Sequence, residues 1–253
     1  SLGVPTVPGY AGKIESQNQI ENTVEEIGYP VIVKASAGGG GRGMRVVNKR
    51  DELWDSIIGA QNEAKVAFGN DEVFIEKYLK KPRHIEIQIF GDGKGKVVHL
   101  YSRDCSLQRK YQKIVEEAPA KNVNHEKLSE IQNICVKACS ELKYKGAGTL
   151  EFLYEDNDFY FIEMNTRIQV EHTVTEMITG VDLVQAQLLL ALEDKFELDQ
   201  EKLKINGHAM QCRINAEDPK TFIPSPGKIT RVHRPGGYHV RFESQIYSGY
   251  EVP

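Results

Sequence analysis

Between Glu163 and Glu171 the chain alternates polar and apolar side chains. Glu163, Asn165, Arg167, Gln169 and Glu171 take the odd positions, and Met164, Thr166, Ile168 and Val170 the even ones. Backbone of period two sends these sets to opposite faces, one charged throughout and one mostly apolar. A half-buried strand with a wet face would satisfy that pattern alone. The segment before it narrows the choice. Thr149 to Tyr154 also reads as a strand, and Asp156-Asn157-Asp158 has the chemistry of a three-residue hairpin turn. With Glu155 opposite Phe159, Glu151 falls opposite Glu163, and like charges facing each other across a ladder destabilise it unless a cation lies between them. Two carboxylates and the amide of Asn165 form an all-oxygen set suited to Mg²⁺ or Mn²⁺. A slip of one residue would separate them.

The rest of the chain supplies a second anion-binding element. Tyr29 to Ser36 reads as a strand with Lys34 inside an apolar run, followed by Ala37-Gly38-Gly39-Gly40-Gly41-Arg42-Gly43 and a further strand from Met44 to Asn48. Successive glycines expose backbone N–H groups and let the chain approach a ligand closely. With Lys34, Arg42 and Arg45 beside them, the partner that fits is a polyphosphate. Gly38, Gly40 and Gly43 match G-x-G-x-x-G, but a dinucleotide fingerprint opens a helix, and no Gly-Lys-Ser/Thr follows for a Walker loop. What remains is a hairpin that closes over phosphates, or a mobile surface loop. The flanking cations favour the first.

Helices are expected over Gln17 to Ile27, ended by Gly28; over Asp51 to Phe68, capped by Asp51 and ended by Gly69; and over Asn124 to Leu142. Thr173-x-x-Glu176 has the spacing of a capping box, and Asp182 caps another helix to about Leu192. Strands are expected at Glu72 to Tyr78, His84 to Phe90, Lys96 to Tyr101, Tyr111 to Glu116, His208 to Asn215, Lys228 to His233 and Tyr238 to Phe242. Asp104 to Lys113 carries net positive charge that could serve an anionic ligand, and taken alone reads as a charged turn. His84, Glu86 and Gln88 share one face, and a solvated face is as good a reading there as a ligand role for His84. Strands outnumber helices and pair with near neighbours, which gives an α+β fold.

Composition excludes little but bounds the class. At 253 residues with 40% hydrophobic content and a net charge of -4, there is enough chain for one large or two smaller cores and no general pull toward nucleic acid. The longest apolar run, near Leu188 to Leu192, is too short to span a bilayer. The four cysteines, Cys105, Cys135, Cys139 and Cys212, lack metal or disulfide spacing and read as free thiols of a reducing, cytoplasmic setting. Cys135 and Cys139 belong to the apolar face of their helix. A start at Ser1 and an end at Pro253 suggest a piece of a larger protein.

Assembled, a glycine hairpin with a lysine at its base and a metal-binding carboxylate pair are the equipment of phosphoryl transfer. Lys34 to Arg45, Glu76-Lys77-Tyr78, Arg83-His84-Ile85-Glu86, Gln112-Lys113, Glu117-Ala118-Pro119 and Phe161 to His172 resemble the biotin carboxylase family of the ATP-grasp superfamily over nearly the whole chain. The resemblance implies an ATP-grasp fold with a small lobe over 1–78, a central lobe over 79–205 and the start of a C-terminal domain over 206–253. Relative to the family both ends are shortened, and a second phosphate-binding lysine falls before Ser1. It implies ATP-dependent carboxylation of carrier-bound biotin with bicarbonate, through carboxyphosphate, as part of an acyl-CoA, pyruvate or urea carboxylase system such as that of fatty acid biosynthesis. A biotin carboxyl carrier domain and a carboxyltransferase are the implied partners, and a homodimer the implied assembly.

By matching positions, Lys34, Gly40 and Gly41 would hold phosphates. Met44, Glu76, Lys77, Leu79 and Leu153 would line the adenine pocket, with His84, Gln108 and Tyr111 near the ribose. Glu151, Glu163 and Asn165 would hold two Mg²⁺ or Mn²⁺ ions. Lys113, Arg167, Gln169 and Val170 would bind bicarbonate. Glu171 would take its proton, and Arg213 would stabilise the biotin enolate. Tyr111 stands where the family commonly has histidine, and a phenol does not become cationic near neutral pH. The alternatives are another ATP-grasp ligase of the carbamoyl-phosphate-synthetase kind, and a nucleotide-binding module without catalysis.

Overall fold

A computed structural model describes residues 2–253 except 13, 15, 37–43 and 111. Gly40, Gly41 and Tyr111 therefore lie outside the described residues. Two compact units are present, Ser1–Gln211 and Cys212–Pro253.

The first unit contains two separate antiparallel sheets. The smaller one orders β1 (Gly9–Tyr10), β2 (Val31–Ala35), β3 (Met44–Val47) and β4 (Val73–Lys77) as β1-β4-β2-β3. Val31, Val33, Val47, Val73 and Ile75 point to one face and are buried. There they meet α1 (Gln17–Ile27), through Ile20 and Val24, and α2 (Leu53–Phe68), through Leu53, Ile57 and Ala60. Ile20 and Val24, like Leu53 and Ile57, are four residues apart, so each pair stacks on one helix face. Ser16 caps α1 by accepting from the Gln19 amide at 3.3 Å, and Gly28 and Gly69 end the two helices at positive φ (81° and 72°), as expected.

Asp51 does not cap α2. It lies inside a short 3₁₀ turn, Arg50–Glu52, which brings Arg50 to Glu21 and Glu25 on α1, at 2.7 and 2.5 Å. Those ion pairs hold the chain coiled one turn before the helix proper.

The larger sheet comprises β5 (Arg83–Asp92), β6 (Val97–Arg109), β7 (Gln112–Ala118), β8 (Lys145–Glu155), β9 (Asp158–Asn165) and β10 (Ala209–Cys212), ordered β10-β7-β6-β5-β8-β9. Residues 104–109 are strand rather than turn, and the reversal comes at Lys110, whose φ is 50°. One face packs Ile85, Ile87, Ile89, Leu150 and Phe152 on α3 (His125–Glu141), where Ile131, Cys135 and Cys139 meet them. Asn124 caps that helix. The opposite face changes character along its length. Phe90, Val98, Leu100 and Ala147 pack on α5 (Leu183–Glu193), and Ala118 meets α4 (His172–Thr179). Toward the other end of β5, Gln88, Glu86 and His84 turn the same face polar.

Two irregularities set which residues reach that face. In the β8–β9 hairpin, Glu155 pairs with Asp158, so the turn has two residues, Asp156 and Asn157, both at positive φ. This corrects the expected three-residue turn, and it is the turn geometry that matches strand twist. A bulge then inserts Ile162 between the Phe152↔Phe161 and Glu151↔Glu163 pairs. The extra residue restores the register that opposes the two glutamates. In β6 the pairing shifts between Ile87↔Ser102 and Ile89↔His99, around Tyr101 at φ 66°. One extra residue there reverses the alternation, so Arg103 shares the face of Leu100 and Val98.

The pleat does not continue to Glu171: β9 ends at Asn165, and 166–171 form a loop into α4. The capping box also fails. Glu171 holds the N-cap position, while Glu176 accepts from the Leu183 amide at 2.7 Å and so braces the turn into α5. Asp182 caps α5 as expected.

In the second unit β11 (Gly227–Lys228) pairs with β12 (Glu251–Val252). The strands expected over Lys228 to His233 and Tyr238 to Phe242 are otherwise absent among the described residues. A strand needs a partner for its amides and its apolar face, and Tyr238 is 91% exposed. Among the described residues no single helix is long and apolar enough to cross a membrane.

Candidate active site on the large sheet

The polar end of the large sheet is a buried cluster of alternating charge. Arg103 lies at its base with no exposed surface. Its Nε and Nη2 donate to Glu86 Oε2 at 3.1 and 3.0 Å, Nη1 donates to Gln88 (2.6 Å) and Thr175 (3.1 Å), and Nη2 to Thr149 (3.0 Å) and Gln169 (2.8 Å). The fixed fork of a guanidinium suits such a multidentate role. Engaging Glu86 through Oε2 leaves its Oε1 for Lys113 and for His84 Nε2, the latter at 3.1 Å. Burial opposes the charge on Glu86, but Arg103, His84 and Lys113 outweigh it and hold the carboxyl well below its usual range.

Lys113 on β7 is the hub. Besides Glu86, its ammonium donates to Glu151 at 2.9 Å and Glu171 at 2.7 Å. Burial works against that charge too, yet the surrounding carboxylates keep it firmly protonated. His84 also meets Glu151 Oε2, at 2.9 Å. Burial alone would lower the imidazole, and the two glutamates overcome it and raise His84 to about 9. Burial likewise opposes charge on Glu151, and His84 and Lys113 bring it below its ordinary value. Cys105, buried beside Glu86, has its thiol pushed well up by burial, which keeps it unreactive.

Glu151 and Glu163 face each other across β8 and β9 as the sequence requires. Asn165 lies between them, its Nδ2 donating to Glu151 at 2.8 Å and reaching Glu163 at 3.4 Å. Its Oδ1 accepts from Arg167 at 3.2 Å. The expected all-oxygen set is thus assembled with the amide nitrogen toward the carboxylates. A half-turn of that amide would present three oxygens, and the donor set fits a hard divalent cation. Two tighter groups, His84 with Glu86 and Glu151, and Glu86 with Cys105 and Glu171, also bring ligand atoms within 4.8 Å of one another. Protonated Lys113 or Arg103 already neutralises each of them.

The remaining residues divide between the sheets. Gln169 is buried and bridges Arg103 to Glu151, its Nε2 donating at 2.7 Å. Val170 is exposed on the same loop. Leu153 lies opposite His84 in the ladder, and Gln108 donates to the Cys105 carbonyl at 2.9 Å.

On the small sheet, Lys34 pairs with Glu76 and stands over the Phe74 ring at 5.7 Å, with Met44 opposite it on β3. This is the face away from α1 and α2. Lys77 looks elsewhere, its ammonium donating to the carbonyls of Gly28 (2.8 Å) and Tyr29 (3.2 Å). Leu79 is half-buried in the segment joining the sheets, and Arg213 belongs to the second unit. Arg103, Glu86, Gln88, Thr149 and Thr175 were not singled out as site residues from sequence. A fully buried arginine has no composition signal, and the β6 bulge hides its face.

A one-sided sheet whose paired β2 and β3 flank a glycine-rich sequence, beside a larger sheet with a buried acidic and cationic cluster, is the architecture of an ATP-grasp protein. Comparison with known families agrees. The family model described as carbamoyl-phosphate synthase L chain, ATP binding domain, matches residues 1–199, and that of the biotin carboxylase C-terminal domain matches residues 211–253. The chain belongs to this ATP-binding family and, within it, to the biotin carboxylases.

Biotin carboxylase of Haemophilus influenzae is 57% identical over 252 residues, covering 99% of this chain and 56% of that protein. The Campylobacter jejuni biotin carboxylase beta-gamma-ATP complex superposes with a TM-score of 0.84 at 49% identity, covering 100% of this chain and 56% of that one. The biotin carboxylase domain dimer of Hydrogenobacter thermophilus 2-oxoglutarate carboxylase, in complex with MgADP, ADP and bicarbonate, gives a TM-score of 0.82 at 48% identity, with coverage of 100% and 56%. The chain thus spans just over half the length of these relatives.

Proposed function

We propose that the protein carrying this chain catalyses ATP-dependent carboxylation of biotin, held on a biotinyl carrier domain, with bicarbonate as the carboxyl source and carboxyphosphate as intermediate. The observation that carries the reading is Lys113, held between Glu86, Glu151 and Glu171 beside Gln169. A protonated amine and an amide N–H are the donors a small anion needs, and the Glu171 carboxylate stands next to them as base. The relatives' complexes with ATP and with bicarbonate support the assignment.

In this reading Lys34 and the loop around Gly40 and Gly41 bind the triphosphate, and Met44, Glu76, Lys77, Leu79, Leu153, His84, Gln108 and Tyr111 surround the nucleoside. Lys77 faces the base through its main chain, since its ammonium is spent on Gly28 and Tyr29. Glu151, Glu163 and Asn165 would hold Mg²⁺ or Mn²⁺, which neutralises phosphate charge when bound. Lys113, Arg167, Gln169 and Val170 hold bicarbonate while Glu171 removes its proton. The resulting dianion attacks the γ-phosphorus, the bond to the β-phosphate oxygen breaks, and ADP leaves as carboxyphosphate forms. Carboxyphosphate breaks down to CO₂ and phosphate; the phosphate takes the ureido N–H proton, and the ureido nitrogen captures the CO₂ while Arg213 holds the enolate oxygen. A cytoplasmic homodimer working with a carboxyltransferase completes the proposal.

The test is ATP hydrolysis by the full-length protein. Turnover that requires bicarbonate and rises with free biotin supports the reading. ATP binding with hydrolysis indifferent to bicarbonate overturns it.

A further inference from the structure

Gln169 is an amide, and an amide in an anion pocket helps or hinders according to which end it shows. Its Oε1 accepts from Arg103 Nη2 at 2.8 Å, and its Nε2 donates to Glu151 at 2.7 Å. Arg103 has only donors, and all six of its contacts are to oxygen. A reversed Gln169 would set NH₂ against guanidinium N–H and a carbonyl oxygen against the Glu151 carboxylate. Both mismatches would be buried, where unpaired polar groups are most costly.

Gln88 is fixed in the same way. Its Oε1 accepts from Arg103, and its Nε2 donates to the Gly148 carbonyl at 2.9 Å. Thr149, Thr175 and Glu86 pin the guanidinium, so it cannot turn to follow either amide.

We propose that Arg103 is a positioning residue for the anion: by holding the Gln169 carbonyl from below, it makes Gln169 a donor-only contact whose second N–H is kept for bicarbonate. The inference rests on the proposed bicarbonate reading and adds to it the origin of the pocket's preference for an acceptor over a neutral, donating molecule. Arg103 touches no substrate itself.

The experiment measures ¹³C-bicarbonate binding by NMR in the full-length protein without nucleotide, alongside affinity for a non-hydrolysable ATP analogue. Arg103→Lys keeps a cation beside Glu86 but cannot reach Gln88, Thr149 and Gln169 together. Bicarbonate affinity is expected to fall about tenfold, on the order of one hydrogen bond to an anion. ATP-analogue affinity stays within about twofold, a split that general loosening of the fold would not give. In a Gln169→Met background the same substitution should have no further effect on bicarbonate. Equal bicarbonate affinity in Arg103→Lys and the unsubstituted protein overturns the inference while leaving the carboxylation reading intact. No bicarbonate binding by the unsubstituted protein overturns both.

Should Arg103→Lys not fold, the unsubstituted protein decides. The Gln169 side-chain amide, followed by ¹⁵N NMR, should exchange slowly with solvent and shift when bicarbonate is added. An amide that exchanges like an exposed glutamine, or does not shift, overturns the proposal.

Discussion

The two sheets of the first unit each carry a lysine paired with a glutamate, and the settings are opposite. Lys34 and Glu76 on the small sheet have side chains 30% and 28% exposed, on the face opposite the one that packs on α1 and α2. Lys113 and Glu86 on the large sheet lie among Arg103, His84, Glu151 and Glu171, with Glu86 wholly buried. One pair exchanges readily with water and can be given up to a ligand. The other is part of a network in which every charge depends on its neighbours. The small sheet is therefore suited to capture and release, and the large sheet to fixed chemistry.

The largest expected effect tests the fixed side. Glu171→Gln removes the proposed base and should lower bicarbonate-dependent turnover by roughly 10²- to 10⁴-fold, with ATP-analogue affinity near normal. Steady-state kinetics and equilibrium binding check this, and a large loss of ATP affinity would mean that Glu171 serves the nucleotide.

The next contrast is between the two pairs. Glu86→Gln leaves Arg103 and Lys113 under-compensated and should cost about 3–5 kcal/mol in urea unfolding. Lys34→Met should cost less than about 1 kcal/mol and act instead on ATP affinity. Similar stability losses in both variants would erase the distinction between the sheets.

Two histidines sharpen it within the large sheet. Burial opposes the charge on His84, but Glu151 and Glu86 lift it to about 9. Its contribution is full below its ordinary value near 6.5 and is lost as pH rises through about 9. His99, half-buried, is lowered by that desolvation to about 4. Its contribution is present above 6.5 and is lost as pH falls through about 4. Urea midpoints across pH should lose their alkaline decline in His84→Gln and part of their acid decline in His99→Gln. Unchanged profiles would contradict both assignments.

The smallest effect lies where the sheets join. Glu155, at the end of β8, accepts from the Lys80 amide at 3.2 Å and from the Lys81 amide, while Phe161 on β9 donates to the Pro5 carbonyl at 2.7 Å. The segment joining β4 to β5 and the segment leading into β1 thus both rest on the hairpin carrying Glu151 and Glu163. Glu155→Ala should cost under about 1 kcal/mol yet speed hydrogen exchange at the Lys80 and Lys81 amides. Unaltered exchange there would remove Glu155 as the clamp.

Much of this was legible in the sequence where a local rule acts alone. The β2–β3 hairpin flanking the glycine run, the Gly28 and Gly69 helix ends, the Asp182 cap and the cysteine-bearing core of α3 follow from turn chemistry and periodicity. The opposition of Glu151 and Glu163 was legible too, although by a different route. A shorter turn and the bulge at Ile162 reach the register expected from a longer turn with none. The facing of Arg103 was not legible, because a bulge at a non-glycine residue, Tyr101, decides it and nothing local marks it. The loop from 166 to 171 was likewise taken for pleat. Gln169 and Glu171 reach the cluster because Arg103 and Lys113 hold them there, through contacts distant in sequence.

The most direct test of the account is a crystal of the full-length protein with Mn²⁺ and a non-hydrolysable ATP analogue, read by anomalous scattering. The account predicts manganese bound by both Glu151 and Glu163, with Asn165 turned to offer its oxygen. Manganese that touches neither Glu163 nor Asn165, or that lies between Glu86 and Glu171, would contradict it.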